Sequence, residues 1–143
     1  MSLLQTFQIA SSGVAAQGQR LNAVASNVAN ADSVAGPDGQ TYRARQVVFQ
    51  AAQVGQTNPS STQGNQAMGV KVKEVAVDNT TPLRKQYDPK HPFADKDGYV
   101  SLPNVNAVEE MVNMLSASRS YQSNIDVMNT SRSLLLKTLS IGQ

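Results

Sequence analysis

At 143 residues, with 40% hydrophobic and only 15% charged positions and a formal net charge of +2, the chain has room for one compact domain or a small domain with helical arms. Its lysines and arginines are scattered, and its aromatics (5%) do not interleave with them, which argues against a nucleic-acid surface. The lack of cysteine removes disulfide and thiolate chemistry, and no apolar stretch approaches the ~20 residues that cross a bilayer, which argues against an integral membrane protein.

The opening Met1-Ser-Leu-Leu-Gln-Thr-Phe7 has neither a basic start nor a continuous apolar core, so it does not read as a cleavable secretory leader. Residues 3–31 carry a heptad-like pattern instead. Phe7, Val14, Leu21 and Val28 recur every seventh residue, Leu4 stands at an intermediate position, and Leu3, Ala10, Val24 and Ala31 mark another seam. The pattern predicts an amphipathic helix ending around Asn30, with a weak coiled-coil tendency. Gly13 and Gly18 each cost up to about 1 kcal/mol of helix propensity, so the isolated helix is marginal. Away from the seams the residues are small and neutral; Arg20 is the only charge before Asp32. Such faces let helices approach on several sides.

Residues 32–39 are turn-rich. Thr41–Gln50 reads as a strand and 51–69, rich in Gln, Ser, Thr, Asn and Gly, as a mobile loop. Gly69–Asp78 alternates through Val70 and Val72, then Val75 and Val77; the slip at Lys73-Glu74 predicts a bulge or a change of face. Leu83–Tyr87 and Tyr99–Leu102 make short strands on either side of a proline-broken irregular stretch. From Asn104 to Ile141 the apolar residues Val108, Met111, Val112, Leu115, Ile125, Met128, Leu135 and Leu139 keep helical spacing, with Asn106 as N-cap and Glu109 three residues on. That is a rod on the order of 50 Å long, more than a globule of this size uses, so it calls for a partner. The fold expected is mainly α with a small antiparallel β-rich insert: residues 1–33 a terminal helix, 34–103 the insert, and 104–143 the second helix. The two helices would form an antiparallel coiled-coil-like pair.

Candidate chemistry is sparse. His91 is the only histidine and lies between prolines in a loop. Asp95-Lys-Asp-Gly98 resembles the opening of a calcium loop, but Asn106 stands where the twelfth-position glutamate belongs, so a polar turn is the better reading. No nucleophile elbow, phosphate loop or metal-ligand cluster is present in the sequence. The expectation is a non-enzyme with no cofactor.

Ala25-Ser-Asn-Val-Ala-Asn-Ala-Asp-Ser33 resembles the Asn-rich N-terminal motif of bacterial flagellar rod and hook axial proteins, with Ser33 where threonine is common. Val108–Asn113, Ser116–Asn124 and Leu136–Leu139 resemble the matching C-terminal motif. Two middle segments, Tyr42–Gln50 and Tyr87–Asn106, are similar to proximal-rod members of that family, so the resemblance spans nearly the whole chain outside 51–69. It implies a structural subunit of the rod that transmits motor torque, exported by the flagellar type III apparatus, lying in the periplasm, and contacting other rod proteins and copies of itself. The terminal helices would form an inner layer, with the β-rich part outward. On this reading the assembly interface comprises Leu4, Phe7, Val14, Leu21, Val24 and Val28 together with Val108, Met111, Val112, Leu115, Ile125, Met128, Leu135 and Leu139. The motif residues Asn27, Asn30, Tyr121 and Asn124 join it. Terminal helices that fold only on docking would keep the subunit exportable. The alternative is a soluble helical-hairpin adaptor or export chaperone that binds a partner helix, which would need both helices formed in a stable monomer or dimer.

Overall fold

A computed structural model describes residues 3–36, 38–54 and 67–141. Helix α1 (Leu3–Ala29) is followed by strands β1 (Arg45–Gln53), β2 (Met68–Val77), β3 (Arg84–Tyr87) and β4 (Tyr99–Leu102), and then by helix α2 (Ala107–Ile141). The chain is thus mainly α with a β-rich insert. The insert is two separate antiparallel hairpins, β1–β2 and β3–β4.

Asn106 caps α2 as its spacing predicts. Its Oδ1 accepts from the backbone amides of Val108 (3.1 Å) and Glu109 (3.5 Å). At the other end of the insert, the Asn-rich motif closes α1. Asn30 Nδ2 donates to Ser26 O (2.8 Å), and Ser33 Oγ donates to Asn30 O (2.9 Å). These side chains add to the backbone bonds from Asn30 N to Ser26 O (3.2 Å) and from Ser33 N to Asn30 O (3.1 Å) that finish the helix.

The bulge is where the alternation slips. Val48 faces Glu74 but Phe49 faces Val72, so Lys73 is the unpaired extra residue. Two boundaries differ from the sequence expectation. The strand expected from Thr41 begins only at Arg45; the Ala44 amide just before it donates to Asn104 Oδ1 (2.8 Å) and not to a strand partner. The loop expected over 51–69 is shorter. Ala51, Ala52 and Gln53 pair with Val70, Gly69 and Met68, and Val54 N donates to Ala67 O (2.9 Å). Residues 55–66, the centre of that loop, lie outside the described residues.

The helices run antiparallel: Asn27 near the end of α1 meets Glu110 in the first turn of α2, and Gly13 meets Asn124 further along. Of the two seams expected on α1, the contact follows the one marked by Ala10 and Val24 and not the one through Phe7, Val14, Leu21 and Val28. On α1 the buried residues are Ala10, Gly13, Ala16, Ala23, Val24 and Asn27; on α2 the most enclosed are Ala117 (0% exposed) and Ser131 (4%). Helix separation shrinks with the side chains at the contact. Alanine and glycine here allow the two backbones to approach, and the larger residues are displaced to the margins. Phe7, Val14, Leu21 and Val28 are half-buried, and Leu4 is 58% exposed. A Cβ on Gly13 would sit 2.7 Å from Asn124 Nδ2. We therefore expect Gly13→Val to lower stability by roughly 1–3 kcal/mol through overpacking, against the small helix-propensity gain. Equal or higher stability in urea denaturation would show that the helices do not approach this closely.

The β1–β2 hairpin lies against α1 through Ser12, whose Oγ accepts from Val70 N (3.1 Å) and donates to Ile9 O (2.7 Å). Gly69 makes this possible, since a Cβ there would come 2.6 Å from Ser12 Oγ. The β3–β4 hairpin joins the end of α1 through Ala35 N to Ser101 O (3.2 Å) and Arg84 Nη2 to Ala31 O (2.6 Å). The buried cluster beneath it is small: Ala31, Ala44 and Val105, flanked by Tyr42 and Ala107.

Candidate functional site

Two features stand out: a buried asparagine junction and an apolar surface that the chain leaves outside. The junction centres on Asn27, which is 1% exposed. Its Nδ2 donates to Arg45 O and to Glu110 Oε2, and its Oδ1 accepts from Arg45 N and from the Tyr42 hydroxyl, all at 2.9 Å. A carboxamide has two donors and two lone pairs, so Asn27 is saturated. One side chain thereby fixes α1, the start of β1 and the first turn of α2. Burial raises the Tyr42 phenol above its ordinary pKa; the Arg45 charge opposes the shift and the Glu110 charge adds to it. The hydroxyl therefore stays protonated and donating.

A second asparagine repeats the device across the insert. Asn104 Oδ1 accepts from Ala44 N (2.8 Å), and its Nδ2 donates to Asp78 O (3.0 Å) and Thr81 O (3.3 Å). The Asp78 carboxylate in turn accepts from the amides and hydroxyls of Thr80 and Thr81, which hold it well below the usual carboxylate range. Arg84 Nε reaches Pro103 O (3.1 Å), and its Nη2 lies 3.6 Å from the exposed Asp32.

Asn27 is among the residues expected at an inter-subunit interface; within the chain its hydrogen-bonding capacity is fully used. Glu110, in the first turn of α2, is a partner of the junction. Its Oε1 also accepts from Asn113 Nδ2 (3.3 Å). The roles of Tyr42, Arg45 and Asn104 were not legible, because their partners lie far away in sequence. The turn residues do what turn residues do. Asp95 Oδ1 accepts from Asp97 N (3.0 Å) and Tyr99 N (2.8 Å), with Gly98 at φ 80°. His91 Nδ1 accepts from Phe93 N (3.2 Å).

The apolar surface is the larger feature. Val108, Met111, Val112 and Leu115 are 57–70% exposed. At ~100° per residue they form one stripe, about half a turn away from Ala117 and hence opposite α1. Leu134, Leu136 and Leu139 are exposed near the other end, as are Phe49, Val75 and Val77 on the hairpin. Of the remaining expected interface residues, Val24 is buried against the fold. Asn30, Tyr121, Asn124, Ile125, Met128 and Leu135 are half-buried on the side of the helix pair. The fully buried residues are thus mostly alanine, while many of the large aliphatic side chains are exposed and most of the rest only half-buried, against the usual partition for residues of this size.

Comparison with known proteins agrees with this architecture. Residues 7–37 match the model of the flagella basal body rod protein family, and residues 96–141 match that of the flagellar basal body rod FlgEFG protein C-terminal region. The first span contains the Asn27 motif and the second contains β4 and α2. Over the full length of both proteins, the chain is 56% identical to the flagellar basal-body rod protein FlgC of Yersinia enterocolitica and 54% identical to that of Salmonella typhimurium. It is 40% identical to FlgC of Borreliella burgdorferi, with 100% of this chain and 99% of that protein aligned. On the strength of these full-length matches and the two rod-family segments, the chain belongs to the FlgC family of flagellar basal-body rod proteins.

Proposed function

We propose that this chain is a structural subunit of the flagellar rod that assembles through the outer faces of its terminal helices, in coiled-coil-like contact with helices of neighbouring subunits, and so carries motor torque. The observation that carries the reading is the inverted partition of apolar residues. A chain that encloses alanine and exposes leucine, valine and methionine gains most of its apolar burial on association. At ~25 cal/mol per Å² such burial also has to offset the entropy lost on docking. Its neighbours would be other rod proteins and further copies of itself. Delivery by the flagellar type III apparatus would place it in the periplasmic rod. Among the described residues no helix is long and apolar enough to cross a membrane. The reading assigns the chain a structural role and no catalytic one, in line with relatives that are themselves basal-body rod proteins.

The experiment is complementation. The gene should restore swimming to cells lacking their own FlgC, and Leu135→Asp should abolish that rescue while soluble expression persists. Leu135 lies half-buried toward the open end of the helix pair, where a charge would disturb the packing of both helices. Normal swimming with this variant would show that the packing of the two terminal helices at this end is not needed for assembly.

A further inference from the structure

A polymer needs two different surfaces. A patch that meets only its own copy closes a dimer, whereas unlike patches joined head to tail continue. The fold offers one convex and one concave candidate. The convex one is the Val108–Met111–Val112–Leu115 stripe, with the exposed Glu109 on its flank. The concave one is a cleft of about 470 Å³ in the corner between α1, α2 and β1, lined by Arg20, Val24, Arg45, Val47, Phe49 and Glu110, among others.

The cleft is mixed in character: Val24, Val47 and Phe49 (37% exposed) supply apolar surface, and Arg20 and Arg45 supply positive charge beside Gln46, Asn113 and Glu110. Arg20 makes only a long contact to Asn113 Oδ1 (3.4 Å), and the Arg45 guanidinium lies 5.7 Å from the Tyr42 ring centroid. Among the described residues neither arginine forms an ion pair. Glu110 accepts from the neutral carboxamides of Asn27 and Asn113 and keeps its charge, so the cleft holds two guanidiniums against one carboxylate. The stripe points away from α1 while the cleft opens beside it, so the two cannot meet within one chain.

We propose that this cleft receives the α2 stripe of a second copy of the chain, with Glu109 of that copy set against the Arg20–Arg45 rim. The contact rests on the rod-subunit reading and specifies it. It is heterologous, it sets methionine and leucine against Val24, Val47 and Phe49, and it turns two unpaired guanidiniums toward a carboxylate.

The lack of native cysteine makes a clean test possible. Cells lacking their own FlgC would carry Phe49→Cys, Leu115→Cys or both, and be treated with a short bismaleimide. The double variant should give a ladder of dimers and higher species of this chain, and neither single variant should. Dimers from Leu115→Cys alone would mean a symmetric face-to-face contact and overturn the proposal. Absence of a ladder in cells that still swim, or cross-links only to a different protein, would overturn it too while leaving the rod reading intact. Failure of the unaltered chain to restore swimming would instead overturn the rod reading. A charge swap gives an independent check. Glu109→Arg and Arg45→Glu should each reduce swimming, and the pair together should restore it; no restoration would refute the proposed pairing.

Discussion

Asn27→Asp should destabilise the fold by roughly 2–4 kcal/mol at neutral pH, although it changes a single atom of a buried side chain. The replaced amide nitrogen donates to Arg45 O and Glu110 Oε2, both at 2.9 Å. An oxygen there would face two acceptors, one of them charged. The loss should depend on pH in a definite direction. Burial and the neighbouring carboxylate raise the introduced acid's pKa in the folded state above its unfolded value. The folded state then binds more protons than the unfolded state in the window between those two values. Stability relative to the native chain therefore falls as pH rises through that window and recovers as pH falls below it. Asn27→Ala, which removes the hydrogen bonds without adding a charge, should lose comparable stability but lack the acid recovery contributed by the introduced carboxyl. Urea denaturation of the three chains at pH 7 and pH 4 makes the comparison. Unchanged stability for Asn27→Asp would mean that the junction does not hold the three elements together.

The second large effect should fall on assembly and spare the fold. Met111→Asp and Leu115→Asp lie at positions 57% exposed and opposite α1. Each should change subunit stability by no more than about 0.5 kcal/mol, as surface substitutions do, yet abolish swimming in cells that depend on the variant. A charged group at the centre of a desolvated apolar contact has no partner there, and its burial costs far more than the lost contact. Thermal unfolding read beside a soft-agar motility assay separates the two quantities. Substantial destabilisation would show that the stripe is core, and undiminished swimming would show that it is free surface in the rod.

The relation between these variants explains what could be read from the chain beforehand. The secondary elements follow from local rules: Asn106 as cap, the bulge at the Lys73-Glu74 slip, and prolines breaking 88–98. The resemblance carried by Ala25–Ser33 and the C-terminal motif pointed to the rod family. What local rules could not give was the direction of each helix face. Heptad spacing marked both Phe7–Val14–Leu21–Val28 and Leu3–Ala10–Val24–Ala31 as seams. The fold buries Ala10, Val24 and Ala31 of the second set and leaves Phe7, Val14, Leu21 and Val28 at the margin. Periodicity identifies a stripe but does not say which neighbour it meets. Here small residues won the intrachain contact because they permit close approach. The signal was present in Ala10, Gly13, Ala16 and Ala23 along α1 and in Ala117 and Ser131 on α2, but small residues count for little when apolar size is the criterion. The Asn27 junction was hidden for another reason. Its partners Tyr42, Arg45 and Glu110 come from three places along the chain and carry no mutual spacing rule.

If the rod is built as proposed, the α2 stripe that the free subunit exposes is buried in the assembled rod. Thiol labelling of Leu115→Cys in purified subunit and in isolated basal bodies, with denatured protein as the reference for full reaction, decides this. Rapid modification of the free subunit and strong protection in the basal body are expected. Equal, rapid modification in both would contradict the proposal, because the stripe would then face solvent in the finished structure and something else would hold the subunit in place.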